Sequence, residues 1–247
     1  MLKQIFKYLI IAIFAGYALF AIIAIPSSKK TEVCRGVLVN VDDDDMNIIN
    51  RDEIIDILKN EGLDPTGKML DNIVCGDIET YMNNISAIKE CQVYKSTKGY
   101  VVVNVDCRIP IVKVHDEENS VYHIDNEGNI ITGIQKALYL PVVSGHVDKS
   151  MAKDITAMAE EINRDKFWSS QIEQIYFDKN GKIILIPRVG NHIIEFGEAD
   201  NIEKKFNKLY TFYQNGMNNI GWNKYNKLNI EFSDKVICTK RDRYGKK

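Results

Sequence analysis

The feature that most constrains this chain is an uninterrupted apolar run near its start. Tyr8–Ile25, YLIIAIFAGYALFAIIAI, carries no charge over eighteen residues. A helix needs roughly 17–25 such residues to cross a bilayer, whereas a signal peptide's apolar core is shorter, about 7–15. Ala24 has Ile22 two residues before it, so the run ends without a small-x-small cleavage site. The run therefore reads as an uncleaved single-pass anchor, residues 8–25. Lys3 and Lys7 precede it and Lys29 and Lys30 come after it, which nearly balances the positive-inside rule. A leader as short as residues 1–7 is easily kept in the cytoplasm, and a large globule behind one anchor is usually the exported part. Residues 31–247 are accordingly expected outside the cytoplasmic membrane.

The chain has the composition of folded protein, 45% hydrophobic and 27% charged. The two hundred or so residues beyond the anchor suffice for one large domain or two small ones. A net charge of −2 gives no basic excess, which argues against a nucleic-acid partner. The five cysteines, Cys34, Cys75, Cys91, Cys107 and Cys238, contain no CxxC pair, so neither a zinc ribbon nor a thioredoxin-type site is expected. Cys107 and Cys238 each end an alternating run and read as small core residues. Pairing cannot be deduced from spacing.

From Thr31 to Cys107 the pattern is β, α, α, β, β. Val37, Val39 and Val41 alternate as in a half-buried strand. Asp42–Asp45 reads as a solvated loop, because the spacing and glycine of a calcium-binding EF-hand are missing. Asn50 with Glu53 forms a capping-box signature ahead of Ile54, Ile55 and Leu58, and Gly62 and Pro65 stop that helix. A second helix is expected over Asp77–Asn84, then strands over Ala87–Tyr94 and Tyr100–Cys107. The remainder, 108–239, is sheet-rich. Strands are expected at Ile111–Val114, Val121–Ile124, Gln174–Phe177, Ile183–Ile186, His192–Phe196 and, beginning with strict alternation, Leu228–Cys238. Pro141–Gly145 leads into one of two flanking helices, in which Met151, Ile155, Met158, Ala159 and Ile162 recur at helical spacing. The other spans Asn201–Gln214 and stops at Gly216. Residues 240–247 form a basic tail. The fold class is α+β.

One stretch invites a chemical reading. Val114–Gly128, VHDEENSVYHIDNEG, holds two histidines and five carboxylates. If strands pair around the acidic turn, His115 and His123 face the same side near the hairpin mouth. Zinc would need further ligands in fixed geometry, and no HExxH motif occurs. The acids cluster where turn chemistry wants them, with Gly128 supplying positive φ. Ser144 lacks a nucleophile-elbow frame, His146 has no identifiable acid partner, His192 reads as a surface strand residue, and Cys238 has no local base. No catalytic residue, metal site or cofactor is expected.

Three segments in order carry a resemblance: Arg108-Ile109-Pro110, then Tyr122-His123-Ile124-Asp125-Asn126-Glu127-Gly128, then Leu140-Pro141-Val142-Val143-Ser144-Gly145. The series resembles the bacterial cell-division family FtsQ/DivIB, whose pattern runs R-x-P, an aromatic with I-D-x-x-G, and an L-P-x-x-x-G-like segment. Lys182–Pro187 before Gly190, Ile194–Gly197, and the helix with Lys204, Lys205 and Leu209 look like its second half. The resemblance implies a short cytoplasmic tail, one membrane span, a POTRA domain (31–107) and a C-terminal β domain (108–239). It implies a non-enzymatic scaffold at the division septum that binds FtsB- and FtsL-type partners, with the septal peptidoglycan synthase downstream. In that family the partner adds a strand near the C-terminal edge, which points here to Leu228, Asn229, Ile230, Glu231 and Phe232. A sheet edge offers unpaired N–H and C=O groups to such a strand. Ile230 is expected in the core and Phe232 toward the partner. Where the family often has D-L-R, this chain has Asn229-Ile230-Glu231, so a basic partner residue is expected opposite Glu231. The alternatives are a POTRA protein of secretion or outer-membrane assembly and, from another class, a metal-dependent envelope hydrolase using His115, His123 and nearby acids.

Overall fold

Valines placed two apart build the first folded unit. The computed structural model describes residues 13–17, 20, 32–41, 48–217, 219, 221–232 and 234–241. Strand β1 (Val37–Val41) pairs in parallel with β3 (Val101–Cys107), and β2 (Ile88–Lys95) pairs antiparallel with β3, giving the order β1-β3-β2. Val39, Val93, Val101, Val103 and Val105 point to one side. There they meet Ile54 and Leu58 of α1 (Arg51–Asn60) and Ile78 and Met82 of α2 (Cys75–Asn83). The capping box is present: Glu53 N donates to Asn50 Oδ1 at 3.0 Å, and Asn50 N to Glu53 Oε2 at 2.8 Å. Each such cap stabilises a helix by about 1 kcal/mol. The β, α, α, β, β order is the one read from sequence, with α2 starting two residues earlier.

The second unit is a nine-stranded mixed sheet in the order β12-β11-β10-β9-β8-β7-β4-β5-β6. A first meander comprises β4 (Pro110–His115), β5 (Val121–Asp125) and the two-residue β6 (Ile130–Ile131). The chain then crosses back to insert β7 (Val142–Gly145) beside β4, in parallel both with β4 and with β8 (Ile172–Phe177). β9 (Ile183–Pro187) and β10 (Ile193–Gly197) continue antiparallel from β8.

One face of this sheet presents Val112, Val114, Val143, Ile175, Phe177, Leu185, Ile194, Phe196 and Leu228. It packs on α3 (Ala152–Arg164), the short α4 (Lys166–Gln171) and α5 (Ile202–Phe212). Two flanking helices were expected. Helix α4 is a third, started by Asp165, whose Oδ1 accepts from Phe167 N at 2.7 Å. At six residues it is too short to show a period. Nor does Gly216 stop α5. The helix widens into a π-turn, Tyr213–Met217, which seats Tyr213 and Met217 in the core.

The C-terminal segment differs most from expectation. Leu228–Cys238 is not one strand. β11 (Tyr225–Asn229) pairs in parallel with β10, and the chain then turns back into β12 (Ile237–Lys240), antiparallel to β11. Ser and Asp favour turns, and Ser233-Asp234 separates the two apolar runs.

The expected anchor, Tyr8–Ile25, and the acidic loop Asp42–Asp45 lie outside the described residues, apart from 13–17 and 20 of the anchor, which are helical. Among the described residues no helix is long and apolar enough to cross a membrane. Ile13, Phe14, Tyr17 and Phe20 are 62–71% exposed. Most of the basic tail, residues 242–247, likewise lies outside the described set, and Lys240 belongs to β12.

Candidate functional site

The acidic stretch resolves into two turns and a clamp. In the first turn Asp116 Oδ1 accepts from Glu118 N at 3.0 Å and Ser120 N at 2.7 Å, while Asn119 takes φ 59°. Glu117 meets His146 at the end of β7, an acid partner for that histidine that sequence reasoning missed. In the second turn Asp125 Oδ1 accepts from Glu127 N at 2.9 Å and Asn129 N at 2.7 Å, and Gly128 takes φ 83°. The other carboxylate oxygen of Asp125 accepts from Arg108 Nη1 at 2.8 Å. Burial pushes the Asp125 carboxyl up, but the hydrogen bonds from Asn129, Arg108 and Glu127 outweigh it and hold the group below the ordinary carboxylate range.

That network joins the two folded units. Glu127 also takes Lys89 of β2 at 2.7 Å, and Thr132 N donates to Ser86 Oγ at 3.1 Å, bonding the residue after β6 to the loop before β2. The R-x-P and I-D-x-x-G segments thus meet each other at the junction, and Glu127 and Thr132 carry the contact to the POTRA unit.

His115 and His123 do share a face, through the pairings Lys113↔His123 and His115↔Val121. His123 is buried, and burial, then Lys113 and His115, pull its imidazole below the ordinary range. Among the described residues no three His, Cys, Asp or Glu side chains come together as a metal would require. His192 is a core residue rather than a surface one. It is 2% exposed, lies 2.7 Å through Nε2 from Tyr213 Oη and is ringed by Tyr213 and Trp222. All five cysteines are described and no disulfide joins any of them. Cys34, Cys91 and Cys107 are buried, while Cys75 and Cys238 are half-buried.

The five residues expected at a partner edge separate into two groups. Leu228 and Ile230 are fully buried. Asn229 is half-buried and donates to Glu195 at 3.1 Å. Glu231 is held by Lys182 at 2.6 Å, so its charge is already matched within the chain. Phe232 alone of the five is well exposed, at 48%, with Lys235 Nζ 5.5 Å above its ring. β11 is covered on both sides, by β10 and β12. The edge is therefore β12, one strand later than the sequence reading, with Ile237 44% exposed on it. Two cations brace this hairpin: Lys208 Nζ donates to Ile230 O at 2.9 Å and also to Phe232 O, and Arg241 donates to Asn191 O. Burial, more than neighbouring Lys205, lowers the Lys208 ammonium below its usual value.

Two family comparisons bear on this arrangement. Residues 32–106 match a POTRA-like domain model, and residues 109–239 match a model described as FtsQ/DivIB, C-terminal related. No curated protein matches the chain. The two matches mark a division-associated POTRA protein, and families of both kinds are typically non-enzymatic scaffolds. As the second match alone covers more than half of the 247 residues, the chain belongs to the FtsQ/DivIB family.

Proposed function

We propose that this protein is a single-pass scaffold of the division machinery. Residues 1–7 lie in the cytoplasm, Tyr8–Ile25 span the membrane, and the two folded units lie outside it at the septum. The scaffold takes FtsB- and FtsL-type partners by strand addition along β12 and links them to the septal peptidoglycan synthase. One observation carries the reading: the large sheet has a single well-formed open edge among the described residues. Its other end, β6, is two residues long and leads straight into the Ser86–Thr132 contact with the POTRA unit. Among the described residues β12 has no strand on its outer side; apolar Ile237 is exposed on it and Phe232 is exposed in the turn before it. Backbone pairing supplies affinity in such a mode and alternate side chains supply specificity.

The test is partner binding by calorimetry with Phe232→Lys and Ile237→Lys variants of the full chain. Each is expected to weaken binding about tenfold or more, roughly 1.4 kcal/mol, without changing the unfolding midpoint. Unchanged affinity in both overturns the edge. In cells, depletion should give filaments without septa that are rescued by the full chain and not by one lacking 236–247.

A further inference from the structure

We propose that the corner of the POTRA unit built on Val33, Met69 and Val74 rests in the headgroup layer of the lipid bilayer and so fixes the tilt of the unit on its anchor. The inference rests on the anchored reading proposed for Tyr8–Ile25.

The corner is made where the chain enters the folded unit. Cys34 N donates to Lys68 O at 2.8 Å and Leu70 N to Glu32 O at 2.9 Å, which sets Val33 directly opposite Met69 in an isolated antiparallel bridge. Residues directly opposite in an antiparallel pair share a face. The two side chains therefore stand together on the outside, while the adjoining Cys34 is 2% exposed and turns into the core. Val33 is 52% exposed, Met69 49% and Val74, at the start of α2, 60%. A solitary exposed apolar side chain needs no explanation. Two that face each other across a bridge, with Val74 exposed five residues farther on, at the place where the chain reaches its apolar run, do.

The tether decides the occupant. Val33 comes eight residues after Ile25, a reach of at most about 29 Å even when fully extended. Apart from Glu32, every other residue of the described unit is farther along the chain from the bilayer. Apolar side chains at a membrane surface settle about 5–10 Å into the boundary between headgroups and acyl chains. Lys29 and Lys30 in the connecting stretch, with exposed Lys68 beside Met69, supply the positive charge that anionic headgroups attract. The other exposed apolar pair of this unit, Leu38 and Tyr94, lies on the open sheet face, in one register row through Val102. That row is separate from the corner and serves as its internal control.

The experiment uses the full chain in phosphatidylethanolamine–phosphatidylglycerol vesicles, with bromine on the acyl chains as the quencher. Met69→Trp and Val74→Trp are compared with Leu38→Trp and with Phe14→Trp in the anchor. The native Trp168 and Trp222 give a constant background. Met69→Trp and Val74→Trp should show blue-shifted emission that bromine quenches, and Leu38→Trp should show neither. If both corner variants are quenched no more than Leu38→Trp while Phe14→Trp is quenched, the anchor stands and the corner proposal falls. If Phe14→Trp is itself unquenched, the anchored reading fails and takes the proposal with it.

Discussion

Arg108, at the junction of the two folded units, and Asp125 lie seventeen residues apart, with Nη1 donating to Oδ2 at 2.8 Å and Arg108 N donating to Ala87 O of the POTRA unit at 2.9 Å. The Asp125 side chain is 3% exposed and that of Arg108 20%. Removing one member of a buried pair strands the other, which costs more than the pair itself contributes. Asp125→Ala also deletes the acceptor for Glu127 N and Asn129 N. The expected loss is about 3 kcal/mol, read as a lower urea midpoint. Arg108→Ala should cost less, because the aspartate keeps its backbone donors. Equal stability in Asp125→Ala would mean that the clamp is decorative.

Burial and then the charge of Arg241 push the His192 imidazole down to about 4, from 6.5. The folded state therefore holds it neutral while the unfolded chain takes up a proton below pH 6.5. Its contribution is fully present above pH 6.5 and declines as pH falls toward 4, by about 3 kcal/mol at 1.36 kcal/mol per unit. Asp125 adds little in that window, since the stabilisation from its depressed carboxyl is present above the unfolded value of 3.8 and is lost as pH falls below it. Urea titrations from pH 8 to pH 4 should show this slope, and His192→Gln should flatten it. Any slope left should shrink in His123→Gln, whose imidazole shifts in the same direction.

Gly145 ends β7 with φ 97°, and a Cβ there would sit 2.2 Å from the Phe177 carbonyl oxygen. That carbonyl accepts from His146 N at 2.9 Å, so neither backbone can retreat without losing the bond. Gly145→Ala should destabilise the chain by about 2–4 kcal/mol, measured as a fall in Tm. An alanine variant with native Tm would show that β7 and β8 can part cheaply.

Lys208 is the hinge pin of the β11–β12 turn. Lys208→Met keeps the aliphatic stem and removes the donor to the carbonyls of Ile230 and Phe232. Global stability should drop by only about 1 kcal/mol. Amide exchange across 230–237 should rise well beyond that of the β8–β9 hairpin, and partner affinity should fall with it. Uniform exchange across both hairpins would remove Lys208 from this role.

The POTRA unit was legible because its strands alternate cleanly and its first helix carries both cap residues, Asn50 and Glu53. Period and cap chemistry are local properties. The edge was not legible for a reason that is also physical. LNIEFSDKVIC keeps apolar residues on a two-residue period up to Phe232 and resumes them at Val236, so periodicity alone cannot distinguish a long strand from a hairpin. Only Ser233-Asp234 marks the reversal. β7 showed no alternation because a strand with parallel neighbours on both sides is read from its pairing. His192 was misplaced for want of its partners: Tyr213 lies twenty-one residues away, where α5 passes into the π-turn.

The nine unbroken strands also act as a ruler. Strands lie about 4.8 Å apart, so β6 and β12 are separated by about 38 Å. Asp125 ends β5, one strand in from β6, so a partner strand laid on β12 would dock about 34 Å from the Arg108–Asp125 clamp. The distance between the clamp and the open edge is written into strand count, and inserting or deleting one hairpin would reset it in steps of two strands.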